Sequence, residues 1–336
     1  MKSNRNNYQH EGNDFGKKTS RFNLFNRYAK DGRGVDKDEE RITDNPNLIN
    51  YFKLFGRRAR EIFSTNLFYI FGNFPIFFAM FAMSGYVSMH SSAPYHQVYA
   101  PLRGALKFEG ASAVSAALGN IFGLEAQITV NTTATNIFYG LTALLLLTFG
   151  IVNVGTTYNL RSMVRGEPIF MWSDFWYAVK RNLRQGMIFG AIDLILIALL
   201  AYDVVFFYHN LGPMMMNIMF YFSLFAIVIY FLMRLYAYLL MITFDLSLFK
   251  ILKNSIIFAL LGFKRNIMAV LGIGLMVFLN YFLLLVYVPI GIIIPFIILF
   301  GAGAFTGAYA AYPKIKEFMI DRYQEENGED DAETAE

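Results

Sequence analysis

The chain has 336 residues, of which 56% are hydrophobic, 16% are charged and none is Cys. Such a composition lies outside the usual range of soluble domains, and the lack of Cys excludes disulfides, thiolate metal sites and Cys nucleophiles. The net charge of +4 does not indicate a nucleic-acid-binding protein, because the basic residues lie beside apolar segments and the last residues are acidic. A membrane protein is predicted instead.

Two polar segments flank the apolar part of the chain. Residues 1–45 mix Asn, Gly and charged side chains, and this composition predicts a disordered tail. The segment lacks the apolar h-region of a cleavable signal peptide, so we expect insertion to start at the first apolar helix. Residues 321–336 are acidic and predict a second disordered tail.

Six apolar segments lie between these tails, within residues 46–320. Each approaches the ~20 residues that a helix needs to cross a hydrocarbon core of ~30 Å. A large soluble core is excluded, because too few polar residues remain to cover it. We therefore predict an all-α, polytopic membrane helix bundle. The six transmembrane helices are expected at residues 65–87, 137–160, 187–208, 217–243, 267–286 and 289–309.

The basic residues crowd into every second connection. Of the 29 Lys and Arg residues, 26 lie in the N-terminal region, the second and fourth connections and the C-terminal tail. The outer loop, residues 88–136, carries only Arg103 and Lys107, and the third and fifth connections carry no Lys or Arg. Because basic flanks are retained in the cytoplasm, both termini are predicted to be cytoplasmic.

Three further segments, residues 46–63, 172–184 and 247–263, combine an apolar face with a basic face at helical spacing. They are expected to form interfacial amphipathic helices with their cations toward anionic lipid, or to cap the bundle, and the two interpretations are compatible. In the first segment, Arg58 is assigned to the polar face. The expected interfacial anchors of the second segment are Trp172, Trp176, Lys180 and Arg181.

Charged residues inside the membrane helices are the main candidates for a functional site, because each is costly unless paired or hydrated. Asp193 lies ~10 Å along the third helix, and Arg234 lies ~13 Å before the end of the fourth. A short loop makes these helices antiparallel neighbours, so an ion pair is geometrically available. The ion pair would be either a polar site for translocation or proton coupling, or a structural link between the two helices. We favour the structural link. Asp203 lies near the outer boundary and is expected to be hydrated.

Several polar and small residues are expected to pack the helices together. Buried amides can bond across membrane helices, Pro kinks a helix, and Gly residues four apart allow close approach. Asn66 in the first helix belongs to this group. The other candidates for helix packing are Asn73, Pro75, Asn280, Gly303 and Gly307.

The sequence contains no paired catalytic carboxylates, nucleophile elbow, phosphate loop or ATPase signature. Three of the four His residues, His90, His96 and His209, are expected on the outer side, but their spacing matches no metal-binding signature. We therefore predict no catalytic residue, no cofactor and no metal site. The chain is not expected to be an enzyme.

Three sequence segments resemble the YesL-like family of bacterial integral membrane proteins. They are LFGR (54–57) leading to NLFY (66–69), DFWYAVKRNLRQG (174–186) and DLSLFKILKNS (245–255). The resemblance extends over residues 47–319, apart from the outer loop, and it provides no catalytic or binding residues. It implies a protein of the bacterial cytoplasmic membrane with an accessory role beside carbohydrate uptake.

Two functions are therefore weighed. The first is a non-enzymatic accessory or scaffold protein whose partners are the lipid bilayer and a sugar transporter or membrane sensor. The second is a small secondary transporter or channel that uses a polar site near Asp193 and Arg234. Nucleic acid is not an expected partner, and the sequence does not define an oligomeric state.

Overall fold

A computed structural model describes residues 46–94 and 125–322, together with residues 101, 113–114 and 117. The predicted tail at residues 1–45, most of the acidic tail and much of the outer loop lie outside the described residues. The described part is predominantly helical, which confirms the predicted all-α class. The helices are α1 (Leu48–Arg57), α2 (Ala59–Gly72), α3 (Ile76–Met83), α4 (Thr133–Thr142), α5 (Leu145–Val164), α6 (Met171–His209), α7 (Met214–Thr243), α8 (Leu248–Leu261), α9 (Phe263–Val286), α10 (Val288–Ile294) and α11 (Phe300–Ile315).

Five helical stretches are long and apolar enough to cross a membrane. They are Thr133–Val164, which combines α4 and α5, then Met171–His209, Met214–Thr243, Phe263–Val286 and Val288–Asp321. The last stretch combines α10 and α11 with two π-helical turns, Pro295–Leu299 and Lys316–Asp321. The chain is thus a multi-pass membrane protein.

The first predicted span, residues 65–87, is bent. Helices α2 and α3 meet at 56° across a short break, which is the geometry of a broken span or a re-entrant loop. Pro75 directly precedes α3, and Asn73 ends α2 with non-helical angles of φ −100° and ψ 23°. Because Pro lacks an N–H and restricts the residue before it, the helix cannot continue straight through this point.

Two of the predicted interfacial segments have different boundaries from those expected. Residues 46–63 do not form one helix, because Arg58 separates α1 from α2 with angles of φ −101° and ψ 15°. Residues 172–184 are continuous with the third span in α6, which departs from helical geometry only at Asn182, where φ is −115° and ψ is 20°. The Asn182 side chain donates to the Ala178 carbonyl at 3.0 Å and so compensates for the backbone bond disturbed there.

A two-stranded antiparallel hairpin, which the sequence did not indicate, lies in the predicted outer loop. Its strands are β1 (Met89–Pro94) and β2 (Glu125–Val130), with Met89 opposite Val130. Thr132 follows β2 and caps α4 by accepting a hydrogen bond from the Thr135 N–H at 3.3 Å. Thr135 in turn donates to the Val87 carbonyl at 2.9 Å, so the hairpin is fixed to the start of α4.

The buried core is concentrated at one end of the bundle, where α2, α5, α7 and α11 meet. Its largest fully buried side chains include Leu54, Phe189, Tyr236 and Phe305. This end, which we call the basic end, comprises residues 46–61, 161–185, 242–265 and 309–322.

Helix α1 packs on the basic end through Tyr51, whose hydroxyl is 2.8 Å from the Thr306 hydroxyl of α11. Burial raises the pKa of the Tyr51 phenol. Tyr309 also donates to the Asn47 carbonyl at 2.9 Å. These contacts support the capping interpretation of the first amphipathic segment.

Candidate functional site

A fully buried carboxylate on α6 is the centre of the candidate site. Asp193 has 0% of its surface exposed and forms an ion pair with Arg234, whose Nε lies 2.9 Å from Oδ2. The same Nε is 3.0 Å from Oδ1. Tyr230 donates to Oδ1 at 2.7 Å, and Tyr238 donates to Oδ2 at 2.6 Å. The carboxylate therefore accepts hydrogen bonds from three side chains, and the single Nε–H of Arg234 is shared between its two oxygens.

All the side chains that donate to Asp193 come from one face of α7. Tyr230, Arg234 and Tyr238 are spaced four residues apart, which places them one above another on a helix. The two phenols lie on either side of the guanidinium along the helix axis. A single carboxylate can thus be approached by three donors without any distortion of α7.

The guanidinium of Arg234 also joins α7 to α5. Its Nη2 donates to the Asn153 Oδ1 at 3.0 Å, and the Asn153 amide donates to the Phe149 carbonyl at 2.8 Å. The rings of Phe149 and Tyr238 each lie 5.4 Å from the guanidinium carbon, within cation–π range. The Arg234 side chain retains 23% exposure, so the guanidinium is only partly buried.

A glycine contact between α5 and α6 brings these groups together. A Cβ on Gly190 would overlap the backbone of Gly150, and a Cβ on Gly150 would lie 2.8 Å from the Gly190 Cα. Only a residue without a side chain allows this approach. Asn153 and Asp193 each follow one of these glycines by three residues, almost one helical turn, so the contact fixes both polar groups beside Arg234.

The arrangement neutralises and immobilises charge. The carboxylate is paired, its three side-chain donors all lie on α7, and it has no exposed surface. Removing one partner of such a pair typically costs about 3–5 kcal/mol, because the other charge is left buried and uncompensated. Chemically, the group acts as a link between α5, α6 and α7.

A second buried polar contact joins α2 to the last apolar stretch. The Asn66 side chain of α2 donates to the carbonyls of Pro295 and Phe296 at 3.0 and 2.8 Å and accepts from the Gly301 N–H at 2.9 Å. These three groups lie in and just after the first π-helical turn, where the regular backbone ladder is disturbed. The amide therefore replaces backbone bonds that the turn cannot make.

Two arginines are buried at the basic end: Arg58, which the sequence assigned to a polar face, and Arg161, one of the basic residues of the predicted second connection. Arg58 and Arg161 are each 8% exposed. Arg58 donates to the Glu167 carbonyl at 3.2 Å. Arg161 donates to the Ile242 carbonyl at 3.2 Å, so its charge lies at the C-terminal end of α7, where a cation is favourable. The expected polar-face position of Arg58 is therefore wrong, because the break between α1 and α2 turns it inward.

The predicted packing residues differ in what they contact. Gly307 is closely packed, since a Cβ there would lie 2.6 Å from the Leu235 Cδ2, whereas at Gly303 it would meet Ile273 at an ordinary 3.8 Å. Asn73 donates within its own helix, to the Tyr69 carbonyl at 3.0 Å. The Oδ1 atom of Asn280 is buried without a hydrogen bond from any described residue.

The predicted interfacial anchors lie on the exposed surface of the first half of α6. Trp172 is 65% exposed and Trp176 is 40% exposed, and the Trp172 ring stacks on Phe68 of α2 at 5.7 Å. Lys180 and Arg181 are also exposed and precede the kink at Asn182. Within residues 46–94 and 125–322, no cluster of three or more His, Asp or Glu side chains could hold a metal ion.

A family model described as "Protein of unknown function, DUF624" matches residues 132–204. The match extends from the start of α4 into the second half of α6 and therefore includes Gly150, Asn153, Gly190 and Asp193. The donors on α7 lie beyond it. No curated protein and no solved structure matches the chain.

Proposed function

We propose that the chain crosses the bacterial cytoplasmic membrane six times, with both termini in the cytoplasm. Five apolar helices and one bent helix pair support the number of spans. Of the 29 Lys and Arg residues, 26 lie on the side assigned to the cytoplasm, which supports the orientation. In this arrangement the bent pair α2 and α3 is one broken span, and the hairpin faces outward.

The proposed role is that of a non-enzymatic accessory or scaffold protein. One observation carries this proposal: the Asp193 carboxylate is fully buried and already accepts hydrogen bonds from three side chains of α7. A transport site would need this carboxylate to take up water, a proton or a solute in exchange for those donors. The geometry favours a structural link between helices. In the proposed role, the outer surfaces of the bundle would then bind the partner protein.

The proposed context is carbohydrate uptake, with a sugar transporter or a membrane sensor as the partner. The resemblance to the YesL-like family over residues 47–319 motivates this assignment. The match to DUF624 over residues 132–204 supports the family relationship, because YesL is itself a DUF624 protein. The bilayer is the second partner, in contact with the exposed apolar side chains.

The orientation can be tested with single cysteines, since the chain has no native Cys. Tyr86→Cys, beside the hairpin, should react with an impermeant maleimide on intact cells. Lys250→Cys, on α8, should react only after the membrane is permeabilised. The reverse pattern, or labelling of both positions on intact cells, would contradict the proposed orientation.

The role can be tested by separating flux from support of a partner. Purified protein in liposomes should give no uptake of labelled sugars above that of empty liposomes. Cells lacking the gene should take up less sugar through a resident transporter, and the wild-type chain should restore that uptake. Flux by the purified protein that Asp193→Asn abolishes at an unchanged protein level would overturn the accessory role in favour of a transporter.

A further inference from the structure

An open groove of about 740 Å³ lies at the basic end, between the kink of α6 and the connection from α7 to α8. The two walls are joined by Gln185, whose side-chain nitrogen donates to the Leu246 carbonyl at 2.5 Å. The groove is thus built from two separate parts of the chain, the segment of α6 around the kink at Asn182 and the connection from α7 to α8. It lies close to the start of the third span and the end of the fourth.

Two exposed arginines and one exposed carboxylate line the groove. Arg181 and Arg184 lie on α6, on either side of the kink at Asn182, and Asp245 lies on the opposite wall. In the part of the chain that the structure describes, neither guanidinium has a hydrogen bond or an ion pair, and neither comes within 4.0 Å of the Asp245 carboxylate. The groove therefore presents two available cations and one available anion, a net charge of +1.

The groove is also apolar on the side that faces the membrane spans. Ile188 on α6 and Phe244 after α7 line it, and Ile188 is 44% exposed. This apolar wall continues onto the exposed surface of the third span. A free phosphate would leave the wall uncovered, whereas a lipid would place its acyl chains against it.

We propose that the groove binds the headgroup of a monoanionic phospholipid with a hydroxylated headgroup, of the phosphatidylglycerol class. Arg181 and Arg184 bind the phosphodiester, since a guanidinium matches phosphate oxygens with several donors. Asp245 accepts a hydrogen bond from a glycerol hydroxyl, and Ser247 lies on the same wall. The ligand charge of −1 balances the groove charge of +1. The proposal goes beyond the accessory role and does not depend on it.

The experiment titrates the purified full chain in a neutral detergent with short-chain dioctanoyl lipids and follows the thermal unfolding midpoint. Dioctanoyl-phosphatidylglycerol should raise the midpoint, and the phosphatidylcholine and phosphatidylethanolamine analogues should not. The double variant Arg181→Gln/Arg184→Gln should bind phosphatidylglycerol about thirtyfold more weakly, because each arginine contributes about a factor of five toward an anionic lipid. Its midpoint without lipid should be unchanged, since both side chains are exposed.

The matched control is Lys250→Gln/Lys253→Gln, which removes two exposed cations of α8 that do not line the groove. It should bind phosphatidylglycerol like the wild type. The wild type should bind phosphatidylglycerol more tightly than dioctanoyl-phosphatidylmethanol, a phosphodiester of the same charge without a headgroup hydroxyl, and Asp245→Ala should bind the two lipids equally. An equal loss in both double variants, or equal binding of phosphatidylethanolamine, would overturn the proposal. Stabilisation by glycerol 3-phosphate as strong as that by the lipid would overturn the lipid assignment.

Discussion

Asp193→Asn tests whether the buried ion pair links the helices. The substitution keeps the shape of the side chain but turns one acceptor oxygen into an NH₂ group, which cannot accept from Arg234 or from a phenol. One phenol loses its acceptor, and the single Nε–H of Arg234 keeps only one of the two oxygens that it contacts. The lost bond to a charged group costs about 1.5–3 kcal/mol and the buried phenol left without an acceptor about 1–3 kcal/mol, so the loss is about 2.5–6 kcal/mol.

An independent estimate agrees with this value. Breaking a buried ion pair by removing one partner costs about 3–5 kcal/mol. For a protein of this size, 1 kcal/mol lowers the unfolding midpoint by about 2 °C, so Asp193→Asn should unfold about 6–10 °C below the wild type. The fluorescence of Trp172 and Trp176 in detergent-purified protein reports the transition.

The control is Asp203→Asn, the same change two to three turns further along α6, at a residue that pairs with no described cation. Its midpoint should match that of the wild type. Arg234→Gln combined with Asp193→Asn should be destabilised by about 1–3 kcal/mol less than the sum of the single variants, because no charge is then left unpaired. Equal midpoints for Asp193→Asn and Asp203→Asn would refute the reasoning.

Three further substitutions test other contacts by thermal unfolding in detergent. Asn66→Leu should cost about 3–5 kcal/mol, because it leaves the backbone groups around the first π-helical turn unpaired. Gly190→Ala should cost about 1–3 kcal/mol or more, because its Cβ overlaps Gly150. Tyr51→Phe should cost about 1 kcal/mol at neutral pH, through loss of the Thr306 hydrogen bond. Burial raises the Tyr51 pKa, so the neutral phenol stabilises the folded state. This contribution to the free energy of unfolding is complete below the unfolded pKa of about 10 and is lost as the pH rises through the folded pKa. The wild type should therefore lose more stability than Tyr51→Phe above about pH 10.

Each of these variants has a matched control in the chain. Asn73→Leu should be milder than Asn66→Leu, since the Asn73 amide bonds only within α2. Gly274→Ala should be neutral or stabilising, because nothing lies within 4 Å of its added Cβ. Tyr86→Phe changes an 89% exposed side chain and should leave the loss of stability above about pH 10 as large as in the wild type. A variant that behaves like its control would contradict the contact assigned to it.

The sequence predicts the parts of this molecule that depend on apolar length and charge. Apolar runs located the helices, and the short loop between the third and fourth helices placed Asp193 and Arg234 on neighbouring elements. Pro75 marked the position where the first span bends. These inferences succeed because they rest on local composition and on the cost of charge in a membrane.

The remaining members of the site could not be found in this way. Tyr230 and Tyr238 are two of 21 Tyr residues, and only the spacing of four around Arg234 distinguishes them. Asn153 reaches Arg234 because Gly150 and Gly190 let two backbones touch, and such a contact depends on the relative rotation of two helices. The inward turn of Arg58 likewise follows from a helix break that no Pro marks, and the nearest Gly, Gly56, lies inside α1 rather than at the break.

The bonds of Asn66 to the last membrane helix also have a consequence for biogenesis. That amide leaves the ribosome more than two hundred residues before the carbonyls it will bind at Pro295 and Phe296. Helix α2 is therefore made well before the backbone groups that satisfy its buried amide. Chains that stop short of Pro295 would leave this amide without those partners, so the packing of α2 depends on synthesis of the last apolar stretch.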